Sequence, residues 1–269
     1  MRNRALKYAT AALIIVMVLS LCSSCVFKLL KDPYDIYKYI YNYTRNVKNY
    51  AADIVIDINY NETVSKKKRS CYLGITGTLK VTGVGSEDMM MESHQKNVIN
   101  SFGYKHTSDL DVFLTKDRVY EKTSDMKFYR SYSRSSKEGQ SIENTAFYPL
   151  NIEYDKSVFF SDSATVNEDG SRTVRASLSE EDFQTVWKDV KKMLDNISDD
   201  GTYTYAKYSL DYYYVDYTLG ADGRPLSEVV SARIIGKNSA VGPAYDAVYT
   251  ISSSAVYTAF GDDVVITVP

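Results

Sequence analysis

Cysteine and histidine side chains offer the widest chemistry in this sequence, and only five of them are present. The cysteines are Cys22, Cys25 and Cys71, and the histidines are His94 and His106. Neither histidine stands in a pattern typical of a zinc site or of a Ser-His-Asp triad. The sequence also lacks a G-x-S-x-G elbow and a glycine-rich phosphate loop. We therefore predict no catalytic residue, no metal, no cofactor and no enzymatic activity.

Cys25 follows a segment typical of an export signal. Three basic residues precede an apolar stretch over residues 8–21, which is shorter than the roughly 20 apolar residues needed to span a bilayer. Ser23 and Ser24 then stand directly before Cys25. This pattern resembles the signals of bacterial lipoproteins, in which small residues precede the cysteine that becomes lipidated.

The resemblance implies three segments. Residues 1–24 would be a signal peptide, residues 25–31 a lipidated anchor and short tether beginning at Cys25, and residues 32–269 a single folded domain. Two alternatives remain open. Cys22 could be the modified residue, although Leu21 would then stand where a small residue is expected, or the apolar segment could remain as an uncleaved anchor. In each case the domain would be extracytoplasmic, with the cell membrane as its partner.

The composition indicates a globular, tyrosine-rich domain. The chain contains 25 tyrosines and one tryptophan, and 44% of its residues are hydrophobic, as in folded proteins. Removal of residues 1–24 would leave 29 basic and 34 acidic side chains, a formal charge of −5. This balance, without an arginine-rich tract, argues against nucleic acid as a partner. With Cys25 lipidated, Cys71 would be left without a disulfide partner, and we predict that it is buried as a small hydrophobe.

Alternating apolar and polar residues predict that most of the domain is sheet. Strands are predicted at residues 52–60, 73–81, 111–115, 118–123, 127–132, 173–178, 203–219, 226–235, 245–258 and 264–268. Glycines within residues 73–83 indicate local bending of a curved sheet. Residues 167–170 are typical of a hairpin turn.

Two helices are predicted around these strands. The first begins after the N-cap Asp32 and ends near residue 49, and the second follows Ser179 and ends near residue 197. Residues 61–70 are polar and contain four consecutive basic residues, and residues 133–141 predict a polar loop.

The order of these elements is similar to that of the LolA/LppX-like lipid-binding lipoproteins and of related uncharacterised Gram-positive lipoproteins. The resembling stretches are residues 52–60, 71–83, 179–197 and 203–235. The resemblance implies an α+β fold in which about two helices pack against a strongly curved antiparallel sheet, an open half-barrel. It also implies an apolar cavity for acyl chains, but no binding residue can be transferred by a motif.

The sequence supports two interpretations of function. The first is a lipoprotein that binds a lipid or another apolar ligand in the cavity of the half-barrel. The alternative is a non-enzymatic envelope protein whose tyrosine-rich sheet surface contacts a protein or a glycan. Tyrosine rings could fill the interior of a curved sheet completely, so the sequence does not decide between a ligand cavity and a filled core.

Four consecutive basic residues form a candidate membrane-surface contact. They are Lys66, Lys67, Lys68 and Arg69. Each basic residue near an anionic membrane surface adds roughly 1 kcal/mol of attraction. The alternative is that they form a solvated hairpin loop.

Overall fold

The structure is a computed structural model. It describes residues 32–64, 67–101, 103–146, 159–161, 163–181, 207–238 and 245–269. The predicted signal peptide, Cys25 and Lys66 lie outside the described residues. So does nearly all of the helix predicted after Ser179.

The first predicted helix is confirmed as α1 (Pro33–Asn46). Its N-terminus is set by Asp32, whose carboxylate accepts a hydrogen bond from the Tyr34 amide at 2.8 Å, and by a proline in the first turn. Four apolar side chains recur at helical spacing and form its buried face: Ile36, Tyr37, Ile40 and Tyr41. This face packs on the sheet and fixes the position of α1.

Twelve strands in the described part of the chain form one antiparallel sheet. They are β1 (Tyr50–Val64), β2 (Lys67–Thr82), β3 (Met90–Ser101), β4 (Tyr104–Leu114), β5 (Arg118–Thr123), β6 (Arg130–Ser133), β7 (Phe159–Phe160), β8 (Thr165–Val166), β9 (Arg172–Ser177), β10 (Lys207–Leu219), β11 (Pro225–Asn238) and β12 (Tyr245–Phe260). Their order is β6-β5-β4-β3-β2-β1-β12-β11-β10-β9-β7, and β8 pairs with β9. The two ends of this order are not paired with each other in the described residues, so the sheet is open. The predicted α+β fold, an open half-barrel with helices against it, is confirmed.

A second helix, α2 (Lys137–Ala146), corrects the loop predicted at residues 133–141. Ser136 supports its first turn, because its hydroxyl accepts a hydrogen bond from the Gly139 amide at 3.0 Å. The guanidinium of Arg134 donates two hydrogen bonds to Glu143, at 3.1 and 2.7 Å. The helix contributes Ile142 to the core. Its polar composition concealed it, since one apolar residue is too few to show helical periodicity.

The polar residues 61–64 and 67–70 belong to strands. Strand β1 continues to Val64, and β2 begins at Lys67. The polar ends of both strands remain paired because β12 lies along the other edge of β1 as far as Val64, which is opposite Tyr245. A strand with partners on both sides satisfies its backbone groups whatever its side chains.

The strand predicted at residues 264–268 does not form. A 3-10 helix, Gly261–Asp263, follows β12. Both edges of β12 are already occupied by β1 and β11, so the chain that leaves β12 has no adjacent open edge on which to pair. By contrast, the turn predicted at residues 167–170 is confirmed: it joins β8 to β9, and Gly170 has a φ of +79°.

Two separate apolar clusters lie on one face of the sheet, which we call the inner face. The first contains α1 with parts of β1, β2 and β9–β12, and the second contains parts of β2–β5 with Ile142 of α2. Ile75 belongs to the first cluster, and Leu79 and Val81 belong to the second. Residues two apart on one strand point to the same face, so both clusters share the inner face.

Gly77 lies between these two clusters on β2. A Cβ atom at this position would overlap the carbonyl oxygen of His94 on the neighbouring strand. Only glycine therefore allows β2 and β3 to approach this closely.

Candidate functional site

The inner face carries a carboxylate where the two apolar clusters meet. Glu228 lies opposite Tyr217 of β10 and opposite Ala255 of β12. On β11 it shares its face with the buried residues Val230 and Ala232. The strand register therefore directs this acid to the side of the sheet that is otherwise apolar.

Aromatic rings connect this position to both clusters. Tyr217 belongs to the first cluster and packs on Tyr37 of α1, with ring centroids 5.0 Å apart. Tyr50 packs against the second cluster and meets Tyr257 edge to face at 5.7 Å. We call Glu228, Tyr50, Tyr217 and Tyr257 the junction site.

Two further aromatic residues extend the junction site towards α1. Phe260 lies 5.3 Å from the ring of Tyr257 and 5.3 Å from the ring of Tyr43, which it meets edge to face. A row of rings thus runs from the helix to β1 across the end of β12.

The carboxyl group of Glu228 is desolvated, and its polar contacts do not fully replace the lost hydration. Its Oε1 atom is inaccessible to solvent and accepts no hydrogen bond from the residues that the structure describes. Desolvation raises the pKa of Glu228 to about 8, against the lowering effect of the Tyr217 phenol. Near neutral pH the group is therefore mostly an uncharged acid that can donate a proton.

The same environment shifts the pKa values of two phenols of the junction site. Burial, followed by the proximity of Glu228, raises the pKa of Tyr50. Burial likewise raises the pKa of Tyr257, with smaller contributions from Glu228 and Tyr50. Both phenols therefore stay protonated, and the site combines several O–H groups with one carboxyl between aromatic rings.

A cleft opens at the far end of the inner face, beside α2. Its volume is about 370 Å³, and the described residues that line it are Tyr132, Lys137, Glu138 and Ile142. Tyr132 is paired with the buried Val119, so the cleft borders the second apolar cluster. Small-ligand pockets usually have volumes of about 300–1,000 Å³.

The outer face of the sheet carries a hydrogen-bonded network around His94. Its Nδ1 atom lies 2.8 Å from Asp111 and its Nε2 atom 2.9 Å from Glu92, and Lys80 donates to Glu92 at 3.0 Å. Desolvation lowers the pKa of His94, but the two carboxylates outweigh this effect and raise it overall. His94 is thus an exposed residue whose two ring nitrogens both have hydrogen-bond partners.

The same outer face groups two tyrosines that the sequence did not group. Tyr212 and Tyr214 stack with centroids 5.2 Å apart and planes 7° apart. The guanidinium of Arg175 lies 5.0 Å from the Tyr214 centroid and donates two hydrogen bonds to Asp216, at 2.7 and 2.6 Å. This stack is the feature that most favours a docking role for the outer face.

Three of the predicted membrane-contact residues lie at the end of the β1–β2 hairpin. Lys67, Lys68 and Arg69 are exposed on β2. Arg69 also lies 3.7 Å from the buried carboxylate of Glu62, so it has a structural role in addition. Cys71 follows on the same strand and is buried, as predicted.

Sequence reasoning missed Glu228, although a signal was present. In β11 the residues at every second position from 228 to 234 are Glu, Val, Ala and Ile. A single acid in the apolar phase of an alternating strand breaks the pattern that places polar groups outside. Such an acid predicts either a buried partner or a site.

Other kinds of site are not found in the described part of the chain. No cluster of three or more His, Cys, Asp or Glu side chains suited to a metal ion occurs there. No helix among these residues has the length and apolar character needed to cross a membrane.

Comparison with known proteins does not identify a family for this chain. No protein-family model matches the chain, and no curated protein matches it. Among solved structures it is similar to a LolA superfamily protein from Nitrosomonas europaea, at 8% identity and a TM-score of 0.23, covering 87% of this chain and 97% of that protein. The fold class of this chain therefore rests on its own strand pairing, and its function on its own residues.

Replacement of Glu228 by glutamine should remove a pH-dependent loss of stability. In the unfolded chain this acid ionises near pH 4.3, whereas in the folded protein its pKa is about 8. Between these values the folded state alone holds the proton, so stability falls as pH rises, and the loss is complete above pH 8. Chemical denaturation should show E228Q within about 1 kcal/mol of wild type at pH 4.5 and a few kcal/mol more stable at pH 9.

A suitable control is Glu168→Gln, because Glu168 is exposed in the turn between β8 and β9. Its stability should follow that of wild type at every pH. If the free energy of unfolding changes with pH in the same way for E228Q and wild type, Glu228 is not held as a desolvated acid.

Proposed function

We propose that this chain is a membrane-anchored extracytoplasmic lipoprotein that binds a lipid or another apolar ligand along the inner face of its open sheet. In this proposal residues 1–24 are a signal peptide, residues 25–31 carry the lipidated Cys25 and a tether, and residues 32–269 form the binding domain. The protein has no enzymatic activity, and its partners are the membrane and the bound amphiphile.

The observation that supports this function most strongly is the division of the inner face into two clusters. A domain usually has one contiguous apolar core, with smaller satellite clusters beside it. Here α1 covers one cluster and α2 borders the other. At the boundary Tyr50 and Ile54 are only partly buried. A ligand that covers the incompletely buried apolar surface between the two clusters gains about 25 cal/mol of binding free energy for each Å² removed from water.

The shape of the sheet also supports binding along the inner face. Strands β1–β4 and β10–β12 are each 11 to 16 residues long, which corresponds to a length of roughly 35–50 Å at about 3.3 Å per residue. An extended acyl chain could follow such a surface from the first cluster across Ile54 to the second. The cleft beside α2 would then receive the far end of a long ligand.

The outer face supports the alternative function, a docking surface for a protein or a glycan. The stacked rings of Tyr212 and Tyr214 and the paired Arg175 and Asp216 present aromatic and charged groups together. Aromatic side chains and arginine are enriched at protein interfaces. This alternative and lipid binding use opposite faces of the sheet, so one experiment can separate them.

Photo-crosslinking in vesicles tests on which face lipid is bound. The full chain is reconstituted with a phospholipid that carries a diazirine in its acyl chain, and labelled peptides are identified by mass spectrometry. We expect label in the inner-face segments of β1 and β12 around Ile54 and Tyr257. Ile54→Gln should reduce this label several-fold, because an amide in the apolar path costs binding energy.

The matched control is Val55→Gln. Val55 is the next residue on β1, and it is 40% exposed on the outer face. It should retain the labelling of wild type. Labelling confined to residues 8–31, or reduced equally by both variants, would exclude the inner-face site and favour docking by the outer face.

Anchoring is tested at the two amino-terminal cysteines. Cys25→Ser should abolish incorporation of an alkyne-tagged fatty acid, because serine lacks the thiol that is alkylated. Cys22→Ser should retain it, because Cys22 would be removed with the signal peptide. Loss of label in Cys22→Ser but not in Cys25→Ser would show that Cys22 is the lipidated residue and that our assignment to Cys25 is wrong.

The basic residues at the end of the β1–β2 hairpin are proposed to contact an anionic membrane surface, together with Lys66. In the Cys25→Ser chain, charge reversal of Lys67 and Lys68 to glutamate should weaken binding to anionic vesicles at least 25-fold, since each cation contributes roughly 1 kcal/mol. Arg69 is left intact because it neighbours Glu62.

The control carries the same charge change elsewhere. Lys116 and Lys127 lie in the turns that follow β4 and β5, away from the hairpin end, and their reversal to glutamate should weaken vesicle binding much less. Sedimentation with vesicles that contain or lack anionic lipid gives the measurement. Equal losses in the two double variants would indicate only net charge.

A further inference from the structure

The acid of the junction site has no counter-charge among the residues that the structure describes. No lysine or arginine there forms an ion pair with Glu228, and its Oε1 atom accepts no hydrogen bond. The phenols that interact with it belong to the two adjacent strands and to the strand beyond β12. They are Tyr217 of β10, Tyr257 of β12 and Tyr50 of β1. A buried acid without a counter-charge is costly, and it is retained here in the centre of the inner face.

We propose that the junction site binds an alkylated ammonium group, of the kind carried by choline. The inference rests on the proposed function only in that the acyl chains of such an amphiphile would follow the two apolar clusters. The positive charge would lie against the carboxylate of Glu228 and the rings of Tyr50 and Tyr257.

Two features favour a cation over an anionic head group. The site contains a carboxyl and no basic residue among its described neighbours, so phosphate or a free fatty-acid carboxylate would find no counter-charge. Aromatic faces, in contrast, attract cations through their quadrupoles, and desolvated cation–π contacts contribute about 2 kcal/mol or more. The rings of Tyr257 and Phe260, 5.3 Å apart, add further aromatic surface beside the carboxyl.

The aromatic character of the site favours an alkylated ammonium over a primary amine. A primary ammonium carries three N–H donors, each of which needs an acceptor when it is buried. Beside its carboxyl, the junction site presents mainly aromatic rings, and those of Tyr257 and Phe260 lie 5.3 Å apart. A quaternary ammonium has no N–H group and needs only charge and apolar contact, which this site provides.

Access to the site is consistent with a ligand. Glu228, Tyr50 and Tyr257 each retain part of their surface in contact with solvent, although the Oε1 atom of Glu228 does not. A ligand could therefore reach the rings first and the carboxyl next. Binding would release the carboxyl proton to solvent and leave a carboxylate paired with the cation.

Choline chloride, which has no acyl chain, tests this inference separately from lipid binding. Saturation-transfer NMR on the full chain in a maltoside detergent should show saturable choline binding, with sodium chloride of equal ionic strength as the reference. The affinity should rise about tenfold per pH unit from pH 6 to 8 and then level off, because binding requires the carboxylate, whose pKa in the free protein is about 8.

Three variants separate the contributions of charge and ring. Glu228→Gln should lower the affinity for choline at least tenfold at pH 8 and abolish its pH dependence, and the expected stability of this variant excludes misfolding as the cause. Tyr257→Leu should also weaken binding, whereas Tyr257→Phe, which retains the ring, should bind as wild type does.

Absence of saturable choline binding would overturn the inference, as would equal binding by Glu228→Gln. An affinity that falls between pH 6 and 8 would also overturn it, because that direction requires a protonated carboxyl donating to an uncharged head group. Each of these outcomes leaves the acyl-chain crosslinking result unaffected, so failure of the head-group site and failure of lipid binding remain distinguishable.

Discussion

The pairing of β1 with β12 is the interaction on which the rest of the structure depends. It runs from Tyr50 opposite Phe260 to Val64 opposite Tyr245, and it joins the meander β1–β6 to the strands β7–β12. Without it the described strands would form two smaller sheets, each with an exposed edge. The pairing also brings Tyr50 beside Tyr257 and places both near Glu228. The junction site therefore exists only because residues some 200 positions apart in the sequence form one ladder.

The two apolar clusters do not follow the two halves of the chain. The first combines α1, β1 and β2 with β9–β12, whereas the second contains residues of β2–β5 and of α2. The halves meet at β1, where Ala52 lies at a register shift against β12. An irregularity of this kind bends and twists a strand. Tyr50 and Tyr257 of the junction site lie at this irregular end of the ladder and stay partly exposed, whereas Tyr217 is buried against Tyr37 of α1.

The sequence predicted those parts of the fold that depend on local pattern. Alternation revealed most of the long strands, Asp32 and Pro33 revealed the start of α1, and Asn167 to Gly170 revealed a turn. Local pattern does not predict which strands pair, because any of several apolar strands could lie beside β1. For that reason the strand ends near Lys67 were not predicted, and residues 264–268 were predicted as a strand. In both places the decisive fact is which edges of a strand are already occupied.

The candidate site could not be predicted from local sequence pattern for the same reason. Glu228 breaks the apolar phase of β11, and that is visible in the sequence, but its surroundings of Tyr50 and Tyr257 come from two other strands. A substitution by leucine or glutamine at this position would relieve the cost of a desolvated acid. A protein that tolerates such a cost commonly does so at a site where stability and function conflict. The acid at the junction, rather than the apolar clusters around it, is therefore the feature of the inner face that folding alone does not explain.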